Sequence, residues 1–254
     1  MTSEYAALCQ QLVPDTVREP EAHLGSLLHR TSIPDAELAE NAGLFIPPRT
    51  LKRMLFLDEL YQKILGVHGI VIQFGVRWGR DIATFDSLRT IYEPFNISRR
   101  IIGFDTFNGF SSIHPEDGNE AIMISGALNV TDEYESELNE VVACRRKLDP
   151  LPQIDRCQLI KGDASIELES FLAQHPETVV ALAYFDMDIY TPTKRCLELL
   201  APYITKGTVI AFDELNSPIA PGETVALREV YGLSRYAIQR SPLYSGQGAF
   251  VVVD

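Results

Sequence analysis

The chain has almost no concentrated positive charge. Its 254 residues carry 22 Lys and Arg against 35 Asp and Glu, a net charge of −13. The longest basic cluster is Arg145-Arg146-Lys147. Surfaces that track phosphates need clustered cations, so neither nucleic acid nor an anionic membrane is expected as a partner. No stretch reaches the ~18 apolar residues of a membrane span. Met1-Thr-Ser-Glu-Tyr5 lacks both a basic and an apolar segment, so no secretory signal is read there. Cysteine is sparse, and Cys9, Cys144, Cys157 and Cys196 are scattered with no C-x-x-C spacing. That excludes a zinc or disulfide framework and fits reduced thiols. The expectation is a cytoplasmic protein.

What is present is a pair of apolar runs that end in acids. Val179-Val-Ala-Leu-Ala-Tyr-Phe-Asp-Met-Asp-Ile-Tyr190 is one, and Gly207-Thr-Val-Ile-Ala-Phe-Asp-Glu214 is the other. Runs without polar alternation read as strands buried on both faces of a parallel sheet. Ligands bind at the carboxyl ends of such strands. Adjacent strands of this kind place Asp186, Asp188, Asp213 and Glu214 around one spot. Crowded like charges are costly without a cation, and hard oxygen donors suit Mg²⁺ or Ca²⁺.

Residues 1–66 read as a helical N-terminal extension. Leu51, Met54, Leu55, Phe56, Leu60 and Ile64 recur near helical spacing behind Pro47-Pro48, a helix-start signal. This extension is either a cap on the main domain or part of a substrate lid or oligomer contact. From Gly69 onward strands and helices alternate. Strands are expected at 70–76, 100–106, 157–163, 179–188 and 207–215, and helices at 79–92, 165–174, 191–203 and 222–231. Such alternation argues for βαβ units with helices on both faces of a parallel sheet. Residues 236–240 and 249–253 are too close for a crossover helix, so they should pair antiparallel. The segment 107–155 has no clear strand, carries an expected helix at 132–146, and reads as a lid inserted in the domain 67–254.

The turns carry the chemistry. Gln73-Phe-Gly-Val-Arg-Trp-Gly79 follows the first strand, and Gly75 permits a tight turn with close backbone approach to a ligand. The spacing is G-x-x-x-G, unlike the nicotinamide fingerprint. Asp105, in Phe104-Asp-Thr-Phe-Asn-Gly109, ends the second strand where an acid can bind ribose hydroxyls; the alternative is a turn cap. Asp163, in Lys161-Gly-Asp163, can accept from an adenine amino group or cap the next helix.

Taken in order, G-x-x-x-G, Phe-Asp-Thr-Phe-x-Gly, Lys-Gly-Asp, Phe-Asp-x-Asp-x-Tyr-x-x-Thr and Ile-x-Phe-Asp-Glu resemble the macrocin/mycinamicin O-methyltransferase family over residues 45–254. The resemblance implies a Rossmann-like class I methyltransferase α/β fold, a parallel sheet closed by an antiparallel C-terminal hairpin. It implies S-adenosylmethionine as donor, a Mg²⁺ ion, a homo-oligomer, and a sugar hydroxyl of a nucleotide-linked deoxysugar or glycosylated natural product as acceptor. Transferred by position, Gln73, Gly75, Gly79, Asp105, Thr106, Asp163 and Asp186 belong to the cofactor side. Asp186, Asp213 and Glu214 match the metal positions, and Asp188 is the leading general base, with His114 in the lid as second candidate. Gln73 stands where the family usually has Glu, and Glu214 where it usually has Asp.

The residues suit that chemistry. The donor methyl is already activated by its sulfonium. The acceptor hydroxyl is the difficult partner, and a divalent cation lowers its pKa so that a carboxylate can take the proton. A metal-dependent methyltransferase of a catechol or other small diol is the alternative. It commonly places a lysine close after the first aspartate, whereas Ile189 and Tyr190 stand here and the first lysine is Lys194. A non-catalytic cofactor-fold protein is disfavoured by the cost of unused buried acids.

Overall fold

The computed structural model describes residues 14–242 and 248–254. Cys9, the N-terminal pentapeptide and most of the C-terminal hairpin turn lie outside them. The described residues open with α1 (Asp15–His29) and α2 (Asp35–Asn41), which bury no residue. A 3-10 turn, Ala42–Phe45, leads to α3 (Pro48–Lys63). Pro48 sits in the first turn of α3, where a missing N–H costs nothing. The buried stripe of α3 is Arg53, Phe56, Leu57, Leu60 and Tyr61, the i, i+3, i+4 pattern of an amphipathic helix. Leu51 and Leu55, which the sequence places on that stripe, are instead exposed. The face is rotated so that an arginine turns inward.

The remainder alternates as expected: β1 (Ile70–Phe74), α4 (Arg80–Tyr92), β2 (Ile101–Asp105), α5 (Tyr134–Arg146), β3 (Cys157–Lys161), α6 (Ala164–Gln174), β4 (Val180–Phe185), α7 (Tyr190–Leu200), β5 (Ile204–Phe212), α8 (Gly222–Val230), β6 (Gln239–Arg240) and β7 (Ala249–Val252). The sheet order is β3-β2-β1-β4-β5-β7-β6. Strands β1 to β5 pair parallel, and β7 runs antiparallel to both neighbours. The hairpin therefore inserts its second strand between β5 and β6. One sheet face packs on α3 and α4 through Phe56, Leu60, Ile82 and Phe85. The other packs on α6, α7 and α8 through Leu168, Phe171, Leu197 and Leu227. This is the doubly wound architecture that the strand–helix alternation predicts. Among the described residues no helix is long and apolar enough to cross a membrane.

Strand ends differ from expectation where the site lies. Strand β4 stops at Phe185, so Asp188 is not on an extended strand beside Asp186. Its φ is +63°, a left-handed residue in a tight loop. Strand β5 begins earlier than expected, at Ile204, and ends at Phe212, which puts Asp213 and Glu214 in the following turn. Strand β6 keeps only Gln239 and Arg240 because Tyr236 turns into the core against Tyr231.

A row of phenylalanines supports these strand ends. Phe104, Phe74, Phe185 and Phe212 are register partners across β2, β1, β4 and β5. Their ring centroids lie 5.6, 4.7 and 5.1 Å apart in sequence along the row. Such pairs add about 0.5–1.5 kcal/mol each beyond burial. Three of the four are followed directly by Asp105, Asp186 and Asp213, so the acids stand on an apolar floor.

Candidate active site

The sheet order reverses between β1 and β4, the place where open α/β sheets bind ligands. A cavity of about 450 Å³ opens there. Its walls come from the glycine turn, the ends of β2, β4 and β5, the N-terminus of α6, the segment after β2, and α3.

Gly75 has φ +83°, and a Cβ there would stand 1.8 Å from the carbonyl oxygen of Asp186. Only glycine lets β1 and β4 approach this closely. Gly79, at φ +81°, begins α4, and a Cβ there would meet Leu138 of α5 at 2.4 Å. The insertion helix thus seats on the glycine turn. Asp105 holds the turn open: Oδ2 accepts from the N–H groups of Val76 and Arg77 at 2.6 and 2.7 Å, and Oδ1 from Phe107 at 2.6 Å. It also lines the cavity, so it acts as a turn cap with its carboxylate at the ligand wall. Asp163 caps α6 by accepting from the N–H of Ser165 at 2.9 Å, and it too lines the cavity. Thr106 lines the cavity while its hydroxyl donates to the carbonyl of Gly109 at 2.7 Å. Gln73 is fully buried and donates to the carbonyl of Gly75 at 2.7 Å. It stands behind the turn rather than in the cavity wall.

On the opposite wall, Asp186, Asp188 and Asp213 each offer a carboxylate oxygen within 4.8 Å of the others. Glu214 lines the same cavity but is not part of that trio. The grouping differs from the expected ligand set of Asp186, Asp213 and Glu214, because the left-handed turn at 188 brings Asp188 back toward the strand ends. Burial raises the Asp186 carboxyl well above the carboxylate range, with Asp213 adding to it and Arg53 opposing. Burial, Glu214 and Asp186 do the same to Asp188. Asp213 is pushed up to about 6 by burial, against Arg53 and with Asp188 and Glu214. The oxygen Asp213 Oδ1 is buried without a partner. Hard oxygens converging on one point, one of them orphaned, fit a divalent cation.

His114 is not in the cavity wall. Its ring lies 4.7 Å from that of Tyr190, and Nδ1 accepts from the N–H of Glu116 at 3.2 Å. The turn it caps carries Asp117, whose oxygens accept from Tyr190 N–H at 2.5 Å and His114 N–H at 2.7 Å.

The residue that sequence reasoning missed is Arg53. Its Nη1 donates to Asp213 Oδ2 at 2.8 Å, its Nε to Asp81 Oδ2 at 2.8 Å, and its Nη2 to Asp186 Oδ2. Its guanidinium lies 5.6 Å from the centroid of the Tyr184 ring. Burial works to raise Asp81, but Arg53 and Arg80 overcome it and hold that carboxyl low. A signal was available, since position 53 lies one turn before Phe56-Leu57 on the buried stripe, and a buried arginine needs buried acids.

Sheet order, reversed last strand and a cavity joining a glycine turn to an acid cluster define a class I methyltransferase. Two solved structures of CalS11 are similar to this chain. One, described as calicheamicin methyltransferase, has TM-score 0.91 and 38% identity, covering 94% of this chain and 93% of that one. The other, described as TDP-rhamnose 3'-O-methyltransferase, has TM-score 0.83 and 37% identity over 94% and 95%. The O-methyltransferase NovP shares the fold at TM-score 0.56 and 17% identity, over 80% and 79%. No protein-family model matches the chain, nor does any curated protein. The chain belongs to the family of class I S-adenosylmethionine-dependent O-methyltransferases that includes CalS11.

Proposed function

We propose that this enzyme transfers the methyl group of S-adenosylmethionine to a sugar hydroxyl, with a divalent cation, Mg²⁺ by choice of donors, held at Asp186 and Asp213 beside Asp188. The sugar is nucleotide-linked or carried by a natural product, in secondary metabolism. The observation that carries the reading is one cavity with the glycine turn on one wall and the acid trio on the other. The macrocin/mycinamicin likeness of the motifs, and the TDP-rhamnose activity named for CalS11, both support a sugar acceptor.

The donor supplies an activated methyl, and a bound cation lowers the pKa of a hydroxyl beside it. The chain does the rest. Gly75 leaves the backbone of the turn open to the donor in the cavity wall, and Gly79 seats the insertion helix against that turn. Asp105 keeps that turn in shape and faces the donor ribose, and Asp163 faces its adenine. Asp213 and Asp186 hold the cation side. Asp188 accepts the acceptor's proton, and burial with its acid neighbours raises its proton affinity, the direction that suits a general base. Phe104 of the phenylalanine floor and Phe110, Ile122 and Leu128 of the insertion line the cavity, where they would exclude water from the reacting groups.

In this reading residues 1–66 form an N-terminal cap and 67–254 the methyltransferase domain, with 107–155 as lid. The cap contributes to the site, because Arg49 and Arg53 line the cavity. Cytoplasmic location and a homo-oligomer belong to the same proposal. The lack of burial in α1 and α2, with Leu44 70% exposed, supports association. The catechol alternative is weaker. Lys194 is not in the cavity wall, and its amine is held by Glu229 at 2.7 Å and Tyr190 at 3.0 Å.

A methyl-transfer screen with labelled donor tests the proposal. Nucleotide sugars, glycosylated macrolides and catechols are offered with and without Mg²⁺. Transfer to a sugar in the presence of Mg²⁺ is expected; transfer confined to catechols would overturn the reading.

A further inference from the structure

Arg53 reaches the acid cluster from outside the domain that builds it. It is 8% exposed, on the N-terminal helix α3, and its guanidinium joins Asp81 of α4, Asp186 after β4 and Asp213 after β5. On Asp186 and Asp213, the two of the trio that it reaches, it takes the same oxygen, Oδ2. On Asp213 the other oxygen is left buried with no partner.

Four arginines, Arg49, Arg53, Arg77 and Arg80, border the cavity beside the acids. Asp81, Asp186, Asp188, Asp213 and Glu214 all border the cavity. Arg80 is bound to Asp81 at 2.6 Å. Arg49 is bound to Glu21 at 2.5 Å. Arg53 forms ion pairs with two of the trio, Asp186 and Asp213, while the charge of Arg77 opposes the rise at Asp188. A buried ion pair of this kind is poor evidence of added stability, yet removing it would leave Asp186 and Asp213 without the guanidinium that pairs with both.

We propose that Arg53 is the built-in countercharge of the cation site and sets its affinity. With the site free of metal, the guanidinium offsets part of the charge of Asp186 and Asp213 and ties the ends of β4 and β5 together. When a divalent cation arrives it takes the oxygens that Arg53 leaves open, and it binds against the repulsion of the guanidinium. The cation's affinity is thereby held down, and its occupancy is coupled to the seating of α3. Arg53 is a positioning residue in this scheme, not a proton donor or acceptor. The inference rests on the cation reading of the site given above.

The test is calorimetric titration of the whole chain with Mg²⁺ alone at pH 8, with folding followed by circular dichroism. Removing one unit of positive charge beside a divalent ion should change its affinity by roughly tenfold even with water-like screening. Arg53→Gln should therefore bind Mg²⁺ about tenfold more tightly than the wild type, and Arg53→Lys within about threefold of it. Asp81→Asn removes a negative charge that offsets Arg53 without touching the trio, and should weaken binding severalfold. If Arg53→Gln folds only when Mg²⁺ is added, the cation has replaced the lost countercharge, which supports the proposal. If it does not fold at all, the Asp81→Asn result decides, and unchanged or tighter binding there overturns the proposal. A wild type that binds Mg²⁺ beside an Arg53→Gln of equal or weaker affinity overturns the role of Arg53 and leaves the cation reading standing. Absence of binding in every folded variant overturns both.

Discussion

Glu223 Oε1 accepts hydrogen bonds from the backbone N–H groups of Met187 and Asp188, at 3.2 and 3.3 Å. Glu223 is fully buried, and its Oε2 has no partner. Burial, with Asp213 and Asp188 nearby, raises its pKa well above the carboxylate range. A buried acceptor on α8 thus holds the loop in which Asp188 takes its left-handed turn. Glu223→Ala should lower kcat by about 10- to 100-fold, since small misplacement of a reacting group costs that much. Donor affinity should be unchanged. Glu223→Gln keeps a carbonyl acceptor and should stay near wild type. Steady-state kinetics beside S-adenosylhomocysteine calorimetry check this; equal losses in both variants would show that the charge, not the loop geometry, matters.

Gly75→Ala should be severely disruptive. The added Cβ would lie 1.8 Å from a backbone oxygen at φ +83°, where neither side can yield. A loss of more than about 2 kcal/mol in urea unfolding is expected, together with loss of S-adenosylhomocysteine binding. A normally stable variant that binds the ligand would mean that β1 and β4 separate more easily than their pairing implies.

Asp105→Ala removes the acceptor of three backbone N–H groups in the turns after β1 and β2. Unmade hydrogen bonds of this kind cost about 1–3 kcal/mol per buried group. Donor affinity should fall more than tenfold while Mg²⁺ affinity holds, because the acid trio lies on the other wall. Parallel titrations with the two ligands measure the split.

The pH dependence has a definite sign. Asp213, raised to about 6 in the folded protein, binds its proton more tightly folded than unfolded. Its contribution to metal-free stability is therefore fully present below about pH 4, its unfolded pKa, and is lost as pH rises through 6. Asp186 and Asp188 are raised as well and act in the same direction. Mg²⁺ should bind better, and stabilise more, at pH 8 than at pH 5. Thermal melts across that range, with and without Mg²⁺, should diverge on the alkaline side; Asp213→Asn should flatten the divergence.

The strands and helices were legible because the chain alternates long apolar runs with helical spacing. The reversed last strand followed from the short gap before residue 249. The motif residues Gly75, Asp105, Asp163, Asp186 and Asp213 meet at one cavity because all lie at carboxyl ends of neighbouring strands. Arg53 was not legible by the same route, since its partners are 28, 133 and 160 residues away. A lone arginine on a helix ordinarily reads as solvated. Glu223 was hidden for a similar reason: its partners are backbone N–H groups, which leave no mark in sequence. The backbone at Asp188 was misjudged because an apolar run says where a strand lies but not where the chain leaves the extended state.

Labelled methyl transfer from S-adenosylmethionine to a nucleotide-linked deoxysugar, by wild-type and Asp188→Asn enzyme at saturating Mg²⁺, tests the central claim most directly. Turnover by the wild type, abolished by chelation, is expected. The folded variant should show a kcat lower by about 10²–10⁴-fold, with no recovery in excess Mg²⁺. Undiminished transfer by metal-stripped wild type, or by folded Asp188→Asn, would contradict the claim.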